Sequence, residues 1–130
     1  METEKNVLII TDGAEETVKM ASEIATVLEG NKVLSKNISE FRGNDILPAD
    51  AFFLGCKNPD SRSFAYIEDL FKHINLSGRS CGVFSCGSEE TTKYLAGLIG
   101  DCGAALNPEF YKGSDKLVEN WAKSVVLRSF

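Results

Sequence analysis

Few side chains in this sequence can do chemistry, and their spacing narrows what they can do. The four cysteines, Cys56, Cys81, Cys86 and Cys102, form no C-x-x-C pair, and His73 is the single histidine. A structural zinc site needs closely spaced thiolate and imidazole ligands, so no metal site is expected. Disulfide frameworks belong to small exported chains. A 130-residue chain with no export signal instead builds a core, with its thiols reduced and mostly buried as small apolar groups. No nucleophile elbow and no His-based acid–base pair occurs, which points away from a substrate-turnover enzyme.

The richest stretch is Thr11-Asp12-Gly13-Ala14-Glu15-Glu16-Thr17, between an apolar run and an amphipathic segment. Asp12 and Glu15 have the three-residue spacing of a capping box, with Asp12 accepting an early helix N–H and Glu15 reaching back to the N–H of Asp12. Such a cap contributes about 1 kcal/mol and occupies donors that an anion would otherwise use. Asp60, Glu89 and Glu90 should gather at the same edge as Asp12, Glu15 and Glu16. Acids there either cap helices or steer a basic partner toward that edge. Cys56 and Cys86 should end adjacent strands, so a dithiol switch is conceivable. It would require facing Cβ vectors, and acidic surroundings would raise the thiol pKa rather than lower it.

The elements that position these residues alternate. Residues 6–11, 32–38, 50–56 and 81–86 read as strands, and a further strand around 104–111 is interrupted by Pro108. Between them Val18, Ala21, Ile24, Ala25 and Leu28 fall at helical spacing before Gly30, and Phe64, Ile67, Leu70, Phe71 and Ile74 form a second apolar face. Ser88 caps a helix carrying Leu95, Leu98 and Ile99, and Ser114 starts one with Leu117, Val118, Trp121 and Val125 inward. Strands alternating with helices predict one α/β domain over residues 1–130. Its five-stranded parallel sheet has the order 2-1-3-4-5, with helices on both faces and a ligand crevice at the carboxyl ends of strands 1, 3 and 4.

The balance of 14 Lys+Arg against 19 Asp+Glu gives a net charge of −5, which disfavours nucleic acid and anionic membranes as partners and favours a basic protein patch. The apolar run Val7-Leu8-Ile9-Ile10 is too short for a membrane span or a signal-peptide core, so a cytoplasmic protein is expected; a monomer is expected as well.

At the strand ends, Phe53-Leu54-Gly55-Cys56 and Phe84-Ser85-Cys86-Gly87-Ser88 resemble the third and fourth strands of flavodoxins and the starts of their two flavin-flanking loops. Ile67-Glu68-Asp69-Leu70-Phe71, Ser77-Gly78-Arg79 and Thr17-Val18-Lys19-Met20-Ala21 are similar to the helices and pre-strand turn of that family, in the same order. The resemblance covers nearly the whole chain. It implies a flavodoxin-like three-layer sandwich and an electron carrier with noncovalent FMN, exposed to a redox partner protein with a basic patch.

The same comparison marks the ligand residues. The family's phosphate loop resembles [S/T]-x-T-G-x-T. With Thr17 at its final position it falls here on Asp12, Gly13, Ala14, Glu15, Glu16 and Thr17, of which only Thr17 keeps the family's residue; a shifted register would make Thr11 the first hydroxyl, with Gly13 beneath the phosphate. The three acids bring charge toward a dianion, and like charges 4 Å apart repel by about 4 kcal/mol at an effective dielectric near 20. The first flavin loop falls on Lys57, Asn58 and Pro59 and the second on Cys86 and Gly87. Phe64 and Tyr94 stand nearest to the aromatics that often flank the ring; a core position is expected for Phe64 and for Trp121. A receiver domain would share the strand order but needs an Asp ending strand 3, where this chain has Gly55-Cys56. The alternative function is an interaction module on the same fold that has lost or weakened FMN binding.

Overall fold

The computed structural model describes residues 4–57, 61–87, 89–100, 102–113 and 118–128, and the side chains of residues 61–63 are outside the description. Ten elements follow in order: β1 Asn6–Thr11, α1 Glu15–Val27, β2 Lys32–Asn37, α2 Gly43–Ile46, β3 Ala51–Gly55, α3 Ser61–His73, β4 Ser80–Phe84, α4 Glu89–Ile99, β5 Ala105–Leu106 and α5 Val118–Leu127. All strand pairs are parallel, in the order β2-β1-β3-β4-β5. Fold class and strand order are therefore those expected from the sequence.

The apolar runs are continuous because both faces of the sheet are covered. In β1, Leu8 and Ile10 face a core shared with Phe52, Leu54 and Val83 of the sheet and Phe64, Ile67, Phe71, Leu95 and Ile99 of α3 and α4. Val7 and Ile9 face the opposite core, with Phe53, Met20, Ala21 and Ile24 of α1 and Trp121, Ala122 and Val125 of α5. Gly82 lets α5 approach closely: a Cβ there would lie 2.9 Å from both Trp121 Cζ2 and Val125 Cγ2. The Ser80 hydroxyl donates to the Val125 carbonyl and fixes the height of α5 on β4.

Three expectations need correction. β5 is two residues long, not the segment 104–111. Asn107 turns the chain by accepting the Glu109 N–H at Oδ1, and Tyr111 then rejoins β4 as an isolated bridge to Phe84. Pro108 has no N–H to give the ladder, so the detour leaves little pairing to lose. β4 ends at Phe84, leaving Ser85 and Cys86 in the loop. The short α2 has no counterpart in the sequence reading; its start is held by the Arg42 N–H donating to Asp45 Oδ2 at 2.8 Å. The expected caps Ser88 and Ser114 and the inward Leu117 lie outside the described residues.

Candidate functional site

The parallel register brings three strand ends to one level, since Thr11 is paired with Gly55 and Gly55 with Phe84. The loops that leave them are therefore neighbours at the carboxyl edge. Asp12, Gly13 and Ala14 come from β1, Cys56 and Lys57 from β3, and Ser85, Cys86 and Gly87 from β4.

The Asp12 carboxylate ties the first two loops together. Its Oδ1 accepts the Ala14 N–H at 3.0 Å, and its Oδ2 accepts the Lys57 N–H at 2.8 Å, 45 residues away. The loops after β3 and β4 are joined by Ser85, whose hydroxyl donates to the Cys56 carbonyl at 2.6 Å and accepts the Gly87 N–H at 2.9 Å. Gly87 is required at this joint, because a Cβ would lie 2.1 Å from the Lys57 carbonyl oxygen.

The expected capping box at Asp12 and Glu15 is not formed. α1 begins at Glu15, its N-cap is Ala14, and no side chain caps it. The tertiary bond to Lys57 and the local turn to Ala14 take both Asp12 oxygens, so the helix starts beyond the reach of that carboxylate. Gly13 makes the turn at φ +84°, with its N–H 3.4 Å from Thr11 Oγ1. The first turn of a helix carries N–H groups with no intrahelical acceptor. Here that turn also holds Thr17, fully buried, whose hydroxyl has no hydrogen-bond partner.

Electrostatics at the edge are less one-sided than the sequence suggests. Glu15, Glu16, Glu89 and Glu90 are exposed, and the Lys57 ammonium pairs with the Glu16 carboxylate. That contact holds the Glu16 carboxyl below its ordinary range, helped by Glu16's own backbone N–H, and raises Lys57. The pair is therefore present above the ordinary glutamate range and is lost as pH falls through the lowered Glu16 value. Both side chains are about half exposed, so the pair contributes little to stability.

Among the candidate aromatics, Phe64 is fully buried and Tyr94 meets it edge to face, with ring centroids 6.2 Å apart. Tyr94 also buries its hydroxyl oxygen, so it packs in the α3–α4 core rather than offering a stacking face at the sheet edge. Trp121 is core, as expected. Asn58, Pro59 and Asp60 lie outside the described residues. His73 ends α3, exposed, with Nδ1 2.9 Å from the Asp69 carbonyl. No group of three His, Cys, Asp or Glu that could hold a metal occurs among the described residues.

Cys56 and Cys86 are both free at this edge, and burial pushes the Cys56 thiol up to about 12, with Asp12 and Cys86 adding to the shift. A buried thiol that stays protonated is a poor nucleophile. Cys81 and Cys102 are buried as well, and Cys86 is exposed. A disulfide-exchange reagent at pH 8 is thus expected to titrate one thiol in the native protein and four in denaturant, the native one vanishing in Cys86→Ser. Fast reaction of two native thiols would contradict the burial of Cys56.

A groove of about 660 Å³ lies at the amino end of the sheet, lined by Lys5, Leu28, Asn31 and Lys123 among others, far from this chemistry. Another of about 250 Å³ opens on the β2 side of the β1 loop, beside Thr11, Gly13, Ser22, Lys36 and Asn37. Ligand pockets for drug-sized molecules run from about 300 to 1,000 Å³, so this groove is smaller than that range.

Comparison with solved structures decides the architecture. A short-chain flavodoxin associated with a non-canonical PDU bacterial microcompartment superposes with a TM-score of 0.83 at 16% identity, covering 98% of this chain and 100% of that one. The chain has the flavodoxin fold. The two-electron reduced flavodoxin of Megasphaera elsdenii aligns at 0.73 with 21% identity, over 93% of this chain and 98% of that one. A lysine-to-glycine variant of the Fusobacterium nucleatum flavodoxin, solved bound to flavin mononucleotide, aligns at 0.66 with 14% identity over 96% and 91% of the two chains. No family profile and no curated protein sequence matches the chain. Among the described residues of this flavodoxin-fold protein, no helix is long and apolar enough to cross a membrane.

Proposed function

We propose that this flavodoxin-fold protein is an electron carrier that holds FMN noncovalently at the carboxyl edge, with the phosphate at the start of α1. One observation carries the reading: the first turn of α1 has no side-chain cap and contains a buried threonine hydroxyl without a partner. An unsatisfied buried hydroxyl costs roughly 1–3 kcal/mol. A phosphate oxygen would relieve that cost, and the helix N-terminus favours the negative charge. The residues that would hold the phosphate are Thr17 through its hydroxyl, Glu15 and Thr17 through their N–H groups, and Thr11 and Gly13 at the loop base. Cys86 and Gly87 would border the ring, with the Lys57 backbone beside them.

Bound FMN supplies the redox chemistry. The chain's own residues fix the three loops, through Asp12 and Ser85, and surround the edge with carboxylates. Those acids disfavour added negative charge on the ligand and would raise the on-rate of a partner protein bearing a basic patch.

A second reading has its own observation. Asp12 already accepts two loop N–H groups, and Glu16 interacts with its own backbone N–H, so part of the cradle is filled from within. On that reading the fold serves as an interaction module with weak or no FMN binding. A fluorescence titration with FMN and riboflavin in parallel separates the two. The FMN reading expects saturable quenching that is stronger for FMN than for riboflavin, with Thr17→Val removing about tenfold of the difference. Equal, weak quenching by both flavins would favour the interaction module.

A further inference from the structure

We propose that Lys57 is the specificity-determining residue of this edge: its ammonium leaves Glu16 for the phosphate of an incoming flavin and so selects FMN over riboflavin. This rests on the FMN reading above. Lys57 is the only cation among the described residues of the three strand-end loops. Its backbone is anchored at the N–H and packs closely against the loop after β4 at the carbonyl. The N–H is bound to Asp12 Oδ2 at 2.8 Å, and the carbonyl oxygen lies where a Cβ on Gly87 would be only 2.1 Å away. The side chain starts from this anchored base and reaches across to the first turn of α1, where it meets Glu16.

The Glu16 contact is a weak hold. Both partners are about half exposed, and exposed pairs of this kind couple feebly. A phosphate carries about twice the charge of a carboxylate and presents three acceptor oxygens. Seated at the helix start beside the unpartnered Thr17 hydroxyl, it would be the stronger partner for the ammonium. Riboflavin has no phosphate and offers Lys57 no reason to leave Glu16. The exchange also explains how an edge carrying Asp12, Glu15 and Glu16 can admit an anion. The one cation among the described residues of these loops is held on one of those acids until the ligand arrives.

The test measures FMN and riboflavin dissociation constants for the native protein, Lys57→Gln, Lys57→Arg and Glu16→Gln, with thermal unfolding run on each. Lys57→Gln is expected to weaken FMN about tenfold and leave riboflavin unchanged, since a hydrogen bond to a charged group is worth that much or more. Lys57→Arg should recover most of the loss. Glu16→Gln should tighten FMN by about threefold, as one acid is gone and the ammonium is free. If Lys57→Gln shifts both flavins equally, Lys57 acts only on the loop and the proposal is overturned. Native-like FMN affinity in Lys57→Gln overturns the proposal and leaves the FMN reading standing. No saturable FMN binding by any of the four proteins, all of them folded, overturns both.

Discussion

Trp121→Ala is expected to lower the folding free energy by about 4 kcal/mol, read as a fall in the urea midpoint at unchanged slope. The indole stacks on Tyr111 with centroids 5.4 Å apart and meets Phe53 edge to face at 5.4 Å. It also fills the space above Gly82, where no side chain of β4 competes for it. Its Nε1–H donates to the Glu109 carbonyl at 2.8 Å, so truncation removes that hydrogen bond as well as opening a cavity. Trp121→Phe keeps a ring and loses the hydrogen bond, with an expected cost of about 1–2 kcal/mol. A loss under about 1.5 kcal/mol for the alanine variant would contradict the packing described, because large-to-small changes at filled core sites exceed that.

Trp121 also accounts for the element the sequence renders least well. The apolar residues of 104–111 suggest a strand, yet the ladder there is two residues long. The remainder is held by isolated backbone bonds, from the Asn107 and Tyr111 N–H groups to the Cys81 and Val83 carbonyls and from the Ser85 N–H to the Tyr111 carbonyl, and by Trp121, which grips Glu109 and Tyr111. Alternation along a chain reports local burial and carries no information about a tryptophan ten residues further on. The buried strands β1, β3 and β4 were legible because each is apolar on both faces, bounded by turn signals and alternating with helical segments, the pattern of a doubly covered parallel sheet.

Asp12→Ala is expected to cost about 2–3 kcal/mol in the same assay, and Asp12→Asn about half as much. The carboxylate accepts the N–H groups of Ala14 and Lys57, and bonds to a charged acceptor contribute roughly 1.5–3 kcal/mol each before discounting for exposure. Asparagine keeps one carbonyl oxygen and can serve one of the two donors. A change within about 0.5 kcal/mol for the alanine variant, the range of ordinary surface substitutions, would contradict this bridge between the loops.

The candidate site was half visible in the sequence. Asp12 to Thr17 stood out by composition, and the collinear resemblance to flavodoxins placed Lys57, Cys86 and Gly87 beside it. The role of Asp12 was not visible, because a capping box and a bond to a residue 45 positions away use the same carboxylate and only the second needs the fold. The Lys57–Glu16 pair was hidden for the same reason. The packing of Tyr94 against Phe64 was not legible, because a ring five residues beyond the first residue of α4 points inward or outward depending on the rotation of that helix, which sequence spacing does not set.

The central claim is that a flavin phosphate seats at the uncapped start of α1, and phosphorus NMR of FMN with the native protein in excess tests it most directly. Free FMN has a phosphate whose second ionisation falls near pH 6, so its resonance moves as pH is lowered from about 8 to about 5. A phosphate held by helix N–H groups, the Thr17 hydroxyl and Lys57 stays dianionic, and the account predicts a displaced resonance that is nearly flat across that range. A resonance that follows the free FMN titration curve at saturating protein would contradict it.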